Sequence, residues 1–82
     1  MTILPLSKRL LAYLHEPNLT ERFEKQKRLF EQNPFHPSLN TEILAPKYLR
    51  IYNFRITRKY RAIFIYRGAA VVEVVDINLH YQ

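Results

Sequence analysis

The feature that most constrains this chain is its last third. "IYNFRITRKYRAIFIYRGAAVVEVVDINL", residues 51–79, alternates apolar and polar residues and is broken only by the short connectors "TRK" and "RGAA". The alternation predicts three strands, Tyr48–Thr57, Tyr60–Arg67 and Val71–Leu79. A parallel crossover needs about a dozen residues or more, so strands joined this tightly are antiparallel. The single glycine, Gly68, suits the second turn. Successive side chains on a strand point to opposite faces. Tyr52, Phe54 and Ile56 therefore share one face, and Asn53 and Arg55 the other. In the next strand Tyr60, Ala62, Phe64 and Tyr66 oppose Arg61, Ile63, Ile65 and Arg67. The sheet has one apolar face and one that carries arginine.

The segments upstream supply a cover for the apolar face. "TILPL" predicts a short first strand, with Pro5 confined to its end or to a sheet edge. Ser7 is a candidate N-cap for a helix from Lys8 to His15 that places Leu10, Leu11 and Leu14 together. Asn18 and Glu21 have the spacing of a capping box and open a second helix that runs to about Gln32. Its stripe is Leu19, Phe23 and Phe30, widened by Leu29. "PFHPSLNTEILAPK" has three prolines and reads as an irregular loop between helices and sheet. The expected fold is α+β: an N-terminal strand, a two-helix hairpin and a three-strand antiparallel meander, with the helices on one face.

The chain has 82 residues, which makes one domain over residues 1–82. A chain of this size buries about 60–65% of its unfolded surface, and an apolar content of 48% suffices for that. There is no cysteine, so disulfides and thiolate metal sites are excluded. No run approaches the roughly 18 apolar residues of a membrane span, and the N-terminus lacks the order of a signal peptide. A cytoplasmic protein is expected, without a membrane partner. The three histidines are too scattered to suggest a metal site, and no cofactor is implied.

The formal charge is +6 and the pI is near 9.9, which favours a polyanionic partner. The charge is also unevenly placed. Between Ile43 and Val72 lie Lys47, Arg50, Arg55, Arg58, Lys59, Arg61 and Arg67, with no acidic residue among them. The helical half mixes signs.

These segments together resemble the RelE/ParE toxin superfamily. The resemblance is carried by "NPFHPSLNTEIL", "IYNFRITRKYRAIF" and "VVEVVDINLHY", and it covers about residues 19–81. It implies the toxin of a type II toxin–antitoxin pair, neutralised by a cognate antitoxin protein and bound to operator DNA only through the antitoxin complex. The superfamily holds ribosome-dependent mRNA endonucleases and DNA gyrase poisons, so the fold alone does not choose between them. A degenerate toxin that only binds an antitoxin is a third reading.

Similarity to the YoeB-like branch implies a ribonuclease site at Glu42, Arg61, His80 and Tyr81. The chemistry needs these residue types. Cleavage of RNA without a metal needs a base for the 2′-hydroxyl proton, a cation for the pentavalent phosphorane and an acid for the departing 5′ oxygen. On this reading Glu42 is the base and His80 the acid. Arg61 and Arg55 grip the phosphate, and Tyr81 stacks on a base or steers the phosphate. Lys47, Arg50, Arg58, Lys59 and Arg67 would hold the backbone of mRNA or ribosomal RNA. His36 is read as a structural loop residue, and Asp76 as the brace of an arginine.

Overall fold

A computed structural model describes residues 1–79. Five strands form a single sheet: β1 (Thr2–Ile3), β2 (Glu42–Ile43), β3 (Tyr52–Arg55), β4 (Tyr60–Gly68) and β5 (Val71–Leu79). Their spatial order is β1-β5-β4-β3-β2. β2 to β5 pair antiparallel, and β1 joins β5 in parallel, with Thr2 opposite Val71. Two helices, α1 (Lys8–His15) and α2 (Thr20–Gln32), cover one face. None of the described helices is long and apolar enough to cross a membrane.

α1 begins and ends where the sequence places it. Ser7 Oγ accepts from the Leu10 amide at 3.2 Å, occupying one of the free donors of the first turn. Leu10 and Leu14 are buried, but Leu11 is 51% exposed and falls outside the packed stripe. α2 does not start with the expected capping box. Asn18 adopts a left-handed conformation, φ 56°, and Leu19 becomes the N-cap without a side-chain hydrogen bond. Leu19 is needed in the core, where it is 6% exposed, and its burial overrides the cap signal.

Phe23 and Phe30 of α2 meet Phe54 of β3 and Phe64 of β4 on the covered face. Phe30 lies 5.1 Å from both Phe54 and Phe64, centroid to centroid, and Phe54 lies 5.8 Å from Phe64. Burial of each such ring contributes about 1.5–3 kcal/mol. Tyr52 stacks on Phe64 at 5.5 Å and extends the cluster along the sheet. Gln26 is the polar exception within this layer. Its amide donates to the Arg55 carbonyl at 2.7 Å and to the Ser38 carbonyl at 3.2 Å, tying α2 to β3 and to the loop.

The proline-rich loop is more ordered than its composition implies. It holds a 3₁₀ turn, Pro37–Leu39, followed by β2. His36 Nδ1 accepts from the Ser38 amide at 3.1 Å and caps that turn, the structural role read for it. A second 3₁₀ turn, Lys47–Leu49, occupies residues expected to begin a long strand. Arg50 closes it in a left-handed conformation, φ 53°, which a continuing strand does not allow. β3 therefore starts at Tyr52 rather than Tyr48. At the other turn Ala69 and Ala70 make the reversal, and Gly68 ends β4 with negative φ.

Candidate active site

The uncovered face of the sheet is organised around Arg61. β3 and β4 pair so that Arg55 lies directly opposite Arg61, and Asn53 opposite Ile63. β2 adds Glu42 opposite Asn53. Four residues separated by up to 19 positions are thus brought to neighbouring places on three strands.

Arg61 is not a surface cation. It is 4% exposed, although it sits on the face without helices. The alternation of the strand gives its direction correctly but not its depth. Its Nη1 donates to the Asn53 Oδ1 at 3.0 Å and to the Asn40 carbonyl at 3.1 Å, and lies 3.5 Å from Glu42 Oε1. The Asn40 carbonyl is available because Asn40 is left-handed, φ 45°, a conformation that asparagine tolerates better than most residues. Asn53 is itself 6% exposed. Three groups from two segments of the chain therefore surround one guanidinium nitrogen.

The rest of the guanidinium is less satisfied. Nε of Arg61 and Nε of Arg55 are both buried and have no hydrogen-bond partner among the described residues. Two like charges directly opposite each other on adjacent strands are mutually unfavourable. Burial pulls the Arg61 pKa below its ordinary value. Glu42 counters that shift and Arg55 adds to it. A phosphate at the rim would offset the repulsion between the two arginines.

Glu42 stands at the rim with its side chain 55% exposed, open to solvent while remaining near Arg61. His80 and Tyr81 lie outside the described residues. β5 ends at Leu79, and its Asn78 is paired with Arg61.

The outer cations divide into two groups. Lys47 and Arg50 are exposed on the second 3₁₀ turn, and Arg58 and Lys59 on the β3–β4 turn. Arg67 is engaged, its Nε donating to Glu73 at 2.7 Å across the β4–β5 hairpin. Asp76 braces an arginine as expected, and that arginine is Arg9 of α1, 3.7 Å away. No cluster of potential metal ligands occurs among the described residues.

Asn53 is the site residue that sequence reasoning passed over. A signal was present: asparagine is disfavoured in strand interiors, so an Asn between Tyr52 and Phe54 needs a polar task.

Among solved structures, the chain is similar to a YoeB/ParE toxin from Agrobacterium tumefaciens. The superposition has a TM-score of 0.71 and covers 98% of this chain and 96% of that one, at 19% sequence identity. The chain has the RelE/ParE toxin fold. No protein-family profile matches it, and no curated protein matches it. The resemblance read from sequence motifs is thus met in three dimensions over nearly the whole length. Within this RelE/ParE fold, the arginine-bearing face is the one that the helices leave open.

Proposed function

We propose that the chain is the toxin of a type II toxin–antitoxin pair and acts as a ribosome-dependent mRNA endoribonuclease. The reading is carried by one observation: a buried arginine with an unused donor, set 3.5 Å from an exposed carboxylate. A purely structural role explains Arg61 poorly. Burying a guanidinium costs several kcal/mol, and apolar residues of similar volume often serve stability as well or better.

In the proposed reaction Glu42 removes the proton from the 2′-hydroxyl. The freed oxygen attacks the adjacent phosphorus. Negative charge grows on the non-bridging oxygens, and Arg61 and Arg55 stabilise it through preorganised hydrogen bonds. The bond to the 5′ oxygen breaks as His80 supplies its proton. The products are a 2′,3′-cyclic phosphate and a 5′-hydroxyl end. No metal takes part. Tyr81 stacks on a base or steers the scissile phosphate, and Lys47, Arg50, Arg58, Lys59 and Arg67 hold the surrounding backbone. The cognate antitoxin covers this face and silences it, and operator DNA is contacted through the antitoxin complex. The working compartment is the cytoplasm.

Primer extension on translated mRNA after induction tests the reading. Wild type is expected to give new 5′ ends within coding regions. Arg61→Ala and Glu42→Gln are each expected to abolish them, and Glu42→Gln preserves shape at an exposed position. Intact mRNA together with an induced DNA-damage response would favour a gyrase poison instead. Intact mRNA without growth arrest, in folded protein, would favour an antitoxin-binding module.

A further inference from the structure

A second cationic surface lies away from the Arg61 face, and the proposed cleavage reaction does not use its helical part. A groove of about 930 Å³ runs between the start of α2 and the β3–β4 turn. One wall carries Arg22, Lys25 and Arg28, spaced by three residues along α2. The other carries Arg58 and Lys59. All five are exposed.

Among the described residues few cations are ion-paired: Arg9, Arg61 and Arg67 each have a carboxylate within 4.0 Å, and none of the five groove cations does. Glu21 and Glu24 also line the groove, so its formal balance remains positive. No side chain caps α2, and the residues of its first turn face the same space, which adds a further positive contribution.

We infer that this groove binds the phosphodiester backbone of RNA. The composition of the groove decides between RNA and an acidic protein. Protein interfaces are anchored by buried aromatic and apolar residues. The exposed large hydrophobics of this chain, including Phe35, Tyr48, Leu49 and Tyr66, all lie outside the groove. Nucleic-acid interfaces are more polar and much more positive. The β3–β4 turn is also the direct continuation of the Arg55–Arg61 pair. A single strand crossing those arginines can follow the turn into the groove. The inference adds a binding surface to the cleavage reading, and it does not require that cleavage occur.

The test is fluorescence anisotropy with 2′-O-methyl oligonucleotides, which offer no 2′-hydroxyl for attack. Failure of the cleavage chemistry therefore leaves the measurement intact. Wild type is compared with the triple variant Arg22→Ala, Lys25→Ala, Arg28→Ala between 50 and 300 mM salt, with folding checked by thermal melting. For single strands log K falls with log salt by about 0.7 per phosphate neutralised, so the triple variant should lose about 2 from the slope and tenfold or more in affinity. Loss on a single-stranded probe identifies the message as the ligand, and loss on a hairpin probe identifies structured RNA. Either result supports the groove. Unchanged affinity and slope on both probes would overturn it, as would equally tight, equally sensitive binding of polyglutamate.

Discussion

On the face covered by helices, Phe23, Phe30, Phe54 and Phe64 pack against one another, and any of the rings can be described by what it displaces from water. On the open face, Asn40, Glu42, Asn53 and Arg61 are joined by hydrogen bonds and charge, and each is described by which partner it satisfies. The two layers share the same strands, and neighbouring residues such as Asn53 and Phe54 serve opposite sides. The covered face is tolerant of chemistry but strict about volume. The open face is strict about chemistry, because one buried charge there depends on a few fixed acceptors.

Substitutions on the two faces should separate these regimes. The largest effect is expected for Phe54→Ala, which leaves a void among the three remaining rings and should cost about 3–5 kcal/mol in chemical denaturation. Loss of function would follow from unfolding. A value under 1 kcal/mol would mean that the ring cluster is not the main source of stability. Asn53→Ala is expected to cost less, about 1–3 kcal/mol, by removing an acceptor from a buried cation. Its effect on mRNA cleavage should exceed its effect on melting, because Arg61 loses its aim. Parallel loss of both would reduce Asn53 to a packing residue. The smallest effect is expected for Arg67→Ala. Its ion pair with Glu73 is exposed, and such pairs are worth about 0–1 kcal/mol. Raising the salt concentration should erase the difference from wild type, and a salt-independent loss would show that the stem of Arg67 packs on the hairpin.

The parts of the fold legible in the sequence are those with strong local patterns. Ser7 and the leucines of α1 fix that helix from within, and β5 alternates cleanly from Val71 to Leu79. Where the sequence misleads, a local signal competes with a distant one. Asn18 has the spacing of a capping residue, yet burial of Leu19 against the core shifts the start of α2. Tyr48 and Leu49 have strand composition, yet both are exposed in a turn that Arg50 closes. β2 is two residues long and is defined only by its register with β3, which no local pattern announces.

The candidate site divides in the same way. The identity of Arg61 and its direction are readable, because period-two alternation sets the face. Its burial is not, because it arises from Asn40, twenty-one positions earlier, turning a carbonyl inward. The partnership with Asn53 likewise depends on the offset between β3 and β4, and the cations of α2 and of the β3–β4 turn share a groove only in the folded chain.

The parallel pairing of β1 with β5 bears on how the molecule comes into being. Thr2 and Ile3 pair with Val71 and Val72, residues far along the chain. β5 must also complete β4 before the open face has its far side. Contacts between distant parts of a chain form late and slowly, since a long loop must first close. A chain halted at Gly68 would carry both helices and most of the arginines but lack the strand that β1 and β4 share. The open face is therefore completed only when β5 docks between β1 and β4, which couples the site to closure of the whole fold.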